Sequence, residues 1–382
     1  MNQVTPKKRY SFPHRVVWVV NIVFLVALIL SYLSKYVSPA TAWWLALFGI
    51  GYTTLLLVNL AFCLIWIWRR SRKFLVSLGV SLLGIGNIFN IYEPSLFRSK
   101  APDYDRFIPA VKVMSFNVRL FDLYNWFHNS ETRENIFKFL HQESPDIVCF
   151  QEFYSSDNPK LSFRNKEALT RVLAAPYAHI EYTVTMRGTD HWGIATYSKY
   201  PIVHRGAVHF SKNSGNIVIY TDLKIGEDTV RVFNTHLESI RFRKEDYRFI
   251  ENIGKDEVEQ DQLAGGLNIL RRLKKAFQKR SNQVQIIHDM IADSPYPVIL
   301  AGDFNDTPIS YSVTMLSDDL KDAFRESGIG FGKTYSGPFP SFRIDYLFHD
   351  KRMKSFGYKT HHGELSDHFP ISCYVSWKKP GL

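Results

Sequence analysis

The sequence predicts an α+β domain that follows a group of apolar helices, and three observations lead to this fold class. The first 92 residues contain three long runs without charged side chains. From Val111 onward, short β-rich runs alternate with turns and with segments of helical periodicity. Strands with helices interposed over residues 111–382 are typical of an α+β domain with one large sheet or two sheets.

The apolar runs are predicted to be the three transmembrane helices of a membrane anchor that occupies residues 1–92. They lie at about 16–33, 43–68 and 74–91. About 20 apolar residues cross the hydrocarbon core of a bilayer. The third run is shorter and contains glycine, so a hairpin or an interfacial segment is the alternative there. For the first run the alternative is a cleaved signal peptide, but two more apolar runs follow it and no small-x-small cleavage site is evident.

The basic residues predict how this anchor is oriented. They cluster before the first run and in the loop between the second and third runs, at Lys7, Lys8, Arg9, Arg15, Arg69, Arg70, Arg72 and Lys73. Both clusters are expected to face the cytoplasm, because short cytoplasmic loops carry the excess of Lys and Arg. Three spans then place the domain after Tyr92 outside the cytoplasm, as part of an integral protein of the inner or plasma membrane. If the third run does not cross, the domain is cytoplasmic.

The net charge of +11 belongs mostly to the anchor. Residues 1–110 contain 12 Lys and Arg against 3 Asp and Glu, whereas the remaining residues are close to balance. A protein that binds duplex through many phosphates usually carries a basic surface on its own domain, so this distribution argues against a nuclease. Cys63, Cys149 and Cys373 lie in apolar runs, which predicts buried thiols and no disulfide framework.

A linker and an insertion interrupt the predicted elements. Residues 93–110 mix proline, charge and aromatic side chains and are interpreted as a short linker that keeps the following domain near the membrane surface. Residues 240–265 are rich in charge and weakly patterned, which indicates an insertion or lid. Helical periodicity covers about 131–143, 165–174 and 267–291. Strands are predicted at 111–117, 146–151, 193–198, 216–223, 229–236, 297–302, 343–348 and 371–377.

Polar side chains end or interrupt six of the buried runs. A single Asp or His at a strand end is usually a turn residue or a hydrogen-bonded core residue. Six such positions are more informative, because strand ends gathered at one edge of a sheet form a pocket of oxygen and imidazole ligands. Such oxygens suit hard cations such as Mg²⁺ or Mn²⁺. The residues concerned are Asn117, Glu152, His236, Asp303, Asn305, Asp345, Asp367 and His368.

Seven blocks in this order resemble the endonuclease/exonuclease/phosphatase superfamily. The blocks are SFNVR, FQEF, GIATYSKYPI, NTHLES, AGDFND, RIDYLF and SDHFPI, between about Val111 and Trp377. The superfamily includes pancreatic deoxyribonuclease, abasic-site endonucleases, inositol-polyphosphate 5-phosphatases and neutral sphingomyelinases. The resemblance implies a four-layer α/β/β/α sandwich with the active site at one end of two packed sheets.

The resemblance also implies a role for each matching residue. Glu152 is similar to the principal metal carboxylate, with Asn117 and Asp367 completing a site for Mg²⁺ or Mn²⁺. Asp303 resembles the residue that orients or deprotonates the attacking water. Asn305 and His236 are expected to contact phosphate oxygens, and Asp345 to hold His368 charged. Asp190 in TDHWG is a candidate support for the NTHLES histidine and stays outside the core set.

Three functions are compatible with these residues. The first is a membrane-anchored, divalent-metal-dependent phosphoesterase acting on a lipid head group or another extracytoplasmic phosphate ester. The basic and apolar faces of Gly266 to Arg280 are compatible with contact to anionic lipid, or with an ordinary helix that covers a sheet. The second is a membrane-tethered nuclease acting on DNA or RNA, and the third is a non-catalytic binding protein of the same fold. The expected partners are the bilayer and the phosphate-ester substrate, and no protein partner is implied.

Overall fold

A computed structural model of the chain describes residues 12–94, 110–161, 163–211, 215–242, 245–246, 259–337 and 343–377. Most of the predicted linker and most of the predicted insertion therefore lie outside the described residues. Helices come first and the strands follow from Val111. We call residues 12–91 the helical bundle and residues 111–377 the sandwich domain.

The helical bundle contains one helix that is long and apolar enough to cross a membrane by length and composition. This helix is α1 (Phe12–Leu33), and the qualifying stretch is Pro13–Leu33. The second predicted span consists of α2 (Pro39–Ala42), α3 (Leu45–Ile50) and α4 (Tyr52–Trp68), and α4 has 17 residues. The third consists of α5 (Phe74–Leu83) and α6 (Ile85–Ile91), bent by 52° at their junction.

Polar side chains lie inside the bundle and hold its helices together. The Trp66 indole of α4 donates to Asn21 Oδ1 of α1 at 2.7 Å, and the Ser77 hydroxyl of α5 donates to the same atom at 3.0 Å. Asn59 donates to the backbone carbonyl of Phe24 at 3.0 Å. All three polar residues, Asn21, Asn59 and Ser77, are buried. The helices therefore bury their polar groups and present apolar side chains outward.

The sandwich domain is built from two six-stranded mixed sheets. The first has the order β11-β12-β1-β2-β4-β3 and the second β5-β6-β7-β8-β10-β9. The strands are β1 (Val111–Asn117), β2 (Ile147–Ser156), β3 (Tyr177–Met186), β4 (Asp190–Ser198), β5 (Ile202–His209), β6 (Ile217–Ile225), β7 (Asp228–His236), β8 (Val298–Asp303), β9 (Leu320–Asp322), β10 (Asp345–Asp350), β11 (Met353–Thr360) and β12 (Ile371–Trp377).

Helices cover the outer face of each sheet, so the domain has the predicted four layers. Apolar residues of both sheets meet between them, with Val113 and Cys149 opposite Val232 and Ala301. Two further apolar clusters lie under the helices of the first and second sheet. The covering helices are α7 (Thr132–Glu143), α8 (Asn165–Val172), α9 (Glu259–Ala292) and α10 (Tyr311–Ser317), whereas α11 (Ala323–Ser327) packs against the core between the sheets through Ala323 and Phe324.

All eight predicted strands are present, and four further strands have weaker sequence patterns. In β3 most side chains are half-buried or exposed, so apolar and polar residues do not alternate regularly. In β5 the pattern is similarly polar, and β11 contains Gly357 and a bulge. The three cysteines are buried free thiols, as predicted.

The sandwich domain packs on the end of the bundle where α1 ends and α4 begins. Ile309, six residues after Asp303, is buried against Leu28, Tyr52 and Leu56 of the bundle. Glu93 and Gly330 exchange backbone hydrogen bonds of 2.8 Å. The segment that follows β8 is therefore held against the helical bundle.

Candidate active site

Alternation along the strands carries polar residues to the inner faces of both sheets at one edge. In β8, Ile299 and Ala301 contribute to the core between the sheets, so Asp303 points to the same face. Three of the remaining site residues share this parity with inner core residues of their own strands. They are Asn117 at the end of β1, His236 at the end of β7 and Asp345 at the start of β10.

The strand register then brings these ends together in the second sheet. Asp303 is directly opposite Asp345 in the antiparallel pair β8–β10 and beside His236 in the parallel pair β7–β8. Gly302 has φ +155°, and a Cβ there would collide with the Thr235 carbonyl oxygen. Glycine therefore permits the close approach of β7 and β8 next to the site.

Asp303 lies at the centre of the candidate site, next to Asn117, His236 and His368. Its side chain is buried, and its Oδ2 accepts a hydrogen bond from Asn117 Nδ2 at 3.0 Å. The same oxygen lies 3.7 Å from His236 Nε2 and 3.8 Å from His368 Nε2. Ligand atoms of Asp303, Asp345 and His368 all lie within 4.8 Å of one another, which makes this the tight cluster of the site.

A buried ion pair holds His368 in place. Its Nδ1 lies 3.0 Å from Asp345 Oδ2. Burial lowers the pKa of His368, but the carboxylates of Asp345 and Asp303 outweigh it and raise the pKa well above its usual value. Burial raises the pKa of Asp345 to about 6, and the facing Asp303 carboxylate adds to the increase. At neutral pH the pair is therefore imidazolium and carboxylate, with Nε2–H directed toward Asp303.

Glu152 reaches the site because β2 contains a bulge. The pairing of β2 with β4 shifts between Phe150 and Phe153, and Glu152 has a left-handed φ of +47°. Phe150 and Phe153 pack in the same cluster although they are three residues apart, so the extra residue inverts the alternation. Glu152 is left at the edge, where its Oε1 lies 3.4 Å from Asn117 Nδ2 and 3.9 Å from His236 Nε2.

Two predicted residues make contacts that the motifs do not indicate. The backbone N–H of Asn305 donates to Asp303 Oδ1 at 2.9 Å, and its side chain donates to the Leu237 carbonyl at 3.1 Å. Asn305 has φ +52° and lies beyond the end of β8, so it joins the site through a turn.

Asp367 forms an ion pair with Arg119, whose Nε is 3.3 Å from Asp367 Oδ2. The carboxylate of Asp190 accepts hydrogen bonds from Tyr154 and Ser156 instead of supporting His236.

Asp306 follows β8, and its carboxylate accepts hydrogen bonds from two different segments. Its carboxylate accepts from the backbone of Thr307 at 3.0 Å, and from Arg280 Nε at 3.1 Å. Arg280 is almost fully buried, and its Nη1 donates to the Glu238 carbonyl at 2.8 Å. This arginine of α9 therefore joins the loop after His236 to the loop after Asp303, a contact the sequence patterns do not predict.

A cleft of about 250 Å³ opens beside Glu152 and His236. Arg241 and Trp192 provide a cation and an aromatic ring in this cleft, and the sequence interpretation assigned neither to the site. Arg241 lies at the start of the predicted insertion, and its left-handed φ of +54° is a feature that residue identity does not reveal. The remaining lining residues include Leu120, Thr183, Asn216 and Ser239.

The donor set fits a hard divalent cation. Glu152 and Asp303 direct carboxylate oxygens at the same amide, Asn117 Nδ2, and Glu152 is partly open to the cleft. Oxygen donors of this kind bind Mg²⁺ or Mn²⁺, and the cysteines lie in the apolar core and the bundle. Glu152 and Asp303 would hold such an ion, with Asp367 at the rim, whereas the side-chain oxygen of Asn117 accepts the backbone N–H of Arg119 at 3.1 Å.

Comparison with known protein families identifies the sandwich domain. The endonuclease/exonuclease/phosphatase family matches residues 114–368, and the chain belongs to this family. Its members are hydrolases of phosphate esters that are typically dependent on divalent metals. A second family, described as a domain of unknown function, matches residues 14–91. No curated protein matches the chain in sequence.

Solved structures with a similar fold come from several organisms. An endonuclease/exonuclease/phosphatase family protein from Leptotrichia buccalis is 17% identical, with 70% of this chain and 99% of that chain covered and a TM-score of 0.48. The human Nocturnin catalytic domain is 18% identical, with coverages of 73% and 100% and a TM-score of 0.49. Humanized D. rerio TDP2 is 15% identical, with coverages of 70% and 98% and a TM-score of 0.48. These similarities are too distant to transfer a substrate.

Proposed function

We propose that this protein is a membrane-anchored, divalent-metal-dependent phosphoesterase that hydrolyses a phosphate ester at the bilayer surface, most specifically a lipid head group. The observation that carries the proposal is the attachment of the site to the helices. The loop that begins with Asp303 and Asn305 continues to Ile309, which is buried against Leu28 and Tyr52 of the bundle. A site held there reaches substrates in the membrane more readily than substrates in bulk solution.

The outward surface of the bundle supports the membrane part of the proposal. Val23 on α1 and Leu64 on α4 are 61% and 68% exposed, whereas the polar Asn21 and Ser77 are fully buried. Monomeric soluble proteins rarely expose large contiguous apolar patches. Helices in lipid show this arrangement, since polar groups must find partners inside the bundle. On this proposal the orientation follows the basic loops, with the sandwich domain outside the cytoplasm.

Helix α9 also supports the membrane part of the proposal, and its two halves have different roles. Its C-terminal half covers the second sheet through Val284 and Ile287, which is the ordinary structural role. Its N-terminal half leaves Leu267 and Leu270 exposed, and Lys274 Nζ lies 5.8 Å from the ring of Trp43 in the bundle. A basic and apolar helix next to the bundle is suited to the surface of an anionic membrane.

The reaction assigned to the site is an in-line hydrolysis. Asp303 accepts a proton from water as the water oxygen bonds to phosphorus and the bond to the leaving oxygen breaks. The leaving oxygen takes a proton from water or from His236. His368, held charged by Asp345, and Asn305 donate to the phosphate oxygens, where negative charge grows. The divalent ion supplies neutralisation of the phosphate charge and a lower pKa for water.

The test uses the purified full-length chain in phospholipid vesicles with Mg²⁺ or Mn²⁺. Release of head group or phosphate from the vesicles is measured beside degradation of plasmid DNA. Asp303→Ala and Glu152→Ala serve as site controls. We expect lipid hydrolysis by the wild type and loss of it in both variants.

Three other outcomes would redirect the assignment. Degradation of DNA without lipid hydrolysis would support the membrane-tethered nuclease. Inactivity on both substrates would favour a non-catalytic binding protein of this fold. Full activity of the Asp303 and Glu152 variants would show that the site residues are assigned wrongly.

A further inference from the structure

A cavity of about 340 Å³ lies between the helical bundle and the sandwich domain. It shares no residue with the candidate active site. Its wall is mainly apolar and comes from α3, α4 and α6 on one side and from two loops of the sandwich domain on the other. The principal apolar residues are Ile50, Tyr52, Ile91, Pro308, Ile309 and Phe331.

Two cations line the domain side of this cavity. Arg343 is only 3% exposed, yet it lines the cavity. Its Nη1 pairs with Asp322 at 2.8 Å and its Nη2 donates to the Asn90 carbonyl at 3.0 Å, while its buried Nε has no hydrogen-bond acceptor among the described residues. Because this Nε is closed off and the guanidinium is already paired with Asp322, Arg343 offers no free donor to a ligand in the cavity. Lys333 is half-buried and adds a second positive charge.

We propose that this cavity binds one anionic phospholipid from the leaflet next to the sandwich domain. Its phosphate would contact Lys333, and its acyl chain would lie against Ile50 and Ile91. A lipid is the occupant that combines both features, because the apolar wall continues onto the outward surface of α4, where Leu57 is 62% exposed. The proposal is independent of which ester the active site hydrolyses.

The segment that follows Lys333 connects this cavity to the candidate active site. Thr334 is buried, and its hydroxyl accepts the backbone N–H of Asp345 at 3.1 Å. Tyr335 forms an isolated β-bridge with His368. A lipid held by Lys333 would therefore stabilise the segment that positions the Asp345–His368 pair.

Native mass spectrometry of the full-length protein in detergent tests the proposal. The protein is titrated with dioleoyl phosphatidylglycerol and, separately, with dioleoyl phosphatidylcholine. We expect Lys333→Gln to weaken phosphatidylglycerol binding about tenfold, as expected when one charged hydrogen bond is lost. Lys138→Gln, an exposed lysine of α7, removes the same charge outside the cavity and should leave binding unchanged.

A second variant tests the apolar wall. Ile50→Trp fills the cavity and should weaken phosphatidylglycerol binding, whereas Leu64→Trp places the same side chain on the outer face of α4 and should not. Equal binding of the two lipids by the wild type would overturn the proposal. So would phosphatidylglycerol binding that is unchanged in both Lys333→Gln and Ile50→Trp, since each variant alone removes one of the two features that define the site.

Discussion

The helical bundle and the sandwich domain place polar and apolar side chains in opposite positions. In the bundle, Asn21 and Ser77 are buried at the helix contacts and Val23 faces outward. In the sandwich domain, apolar side chains such as Val113 and Ala301 fill the space between the sheets. The arrangement in the domain suits water, and the arrangement in the bundle suits the lipid surroundings that the proposed function assigns to it.

The candidate active site is one exception within the sandwich domain, as are the buried ion pairs of Arg280 and Arg343. In the site, Asp303, Asp345 and His368 are as buried as core residues, although each is charged or polar. Polar groups inside the bundle satisfy one another through hydrogen bonds, as Trp66 and Asn21 do. Those of the site include facing carboxylates, which repel each other. Buried polar groups therefore stabilise the bundle, whereas those of the site are the groups to which the proposed reaction assigns roles.

The largest expected effect concerns this exception. Asp303→Asn should lower hydrolysis of the substrate identified in vesicles by about 10³-fold or more, since a positioned base and a metal ligand are both affected. The free energy of unfolding should stay the same or rise, because one of two facing carboxylates is removed. Activity assays and thermal unfolding measure the two effects. An active Asp303→Asn protein would contradict the assigned role.

The next effect concerns the buried arginine that joins two loops of the site. Arg280→Met leaves the Asp306 carboxylate buried without its cation and should reduce the free energy of unfolding by about 3–5 kcal/mol. The neighbouring Lys279 pairs with Glu238 at 3.1 Å but is 40% exposed, so Lys279→Met should cost less than about 1 kcal/mol. Urea unfolding of both variants gives the comparison, and equal costs would argue against a special role for Arg280.

A pair of matched substitutions tests directly whether the bundle and the sandwich domain have different surroundings. Val23 and Val203 are 61% and 55% exposed, in the bundle and in the sandwich domain respectively. Val23→Lys should oppose membrane insertion by about 2.5–3.5 kcal/mol, whereas Val203→Lys should have little effect. The fraction of protein that resists carbonate extraction from membranes measures insertion. If the two lysines behave alike, the bundle is not surrounded by lipid.

The smallest expected effect is a pH dependence of the stability of the sandwich domain. His361 lies against Ser372 and Glu143, and burial lowers its pKa to about 4. The unfolded chain then binds the proton first, so stability is complete above pH 6.5 and falls as the pH approaches 4. Between pH 7 and pH 5 the loss should be about 1 kcal/mol after allowance for solvent screening.

His361→Gln is the control for this dependence. It should flatten the decline in unfolding free energy between pH 7 and pH 5, since glutamine does not titrate. A wild-type protein whose stability is constant over this range would exclude the effect.

Much of the sandwich domain follows from local patterns in the sequence. Regular apolar runs such as β1 and β8 were predicted within one residue of their bounds. The strands β3 and β5 were missed because their side chains are largely accessible and do not alternate clearly. The helix breaks at Gly51 and Gly84 in the bundle were missed for a related reason, since apolar composition continues through both.

The residues of the candidate site were likewise recognisable, but several of their contacts were not. Asn305 was predicted at a strand end together with Asp303, whereas β8 ends at Asp303 and Asn305 lies in the turn that follows. The bulge at Glu152 and the ion pair of Arg280 with Asp306 depend on strand pairing and helix packing. Residue types alone do not encode such contacts.

The sequence by itself determined the order of the elements, the apolar runs of the bundle and the polar residues at the strand ends. These features depend on neighbours within a few positions, where hydrophobic periodicity is decisive. Only the tertiary structure decided that Asp303 meets Asp345 and His236, and that Ile309 lies against Tyr52. Those contacts join residues far apart in the chain, so they depend on sheet register and on how the two regions pack.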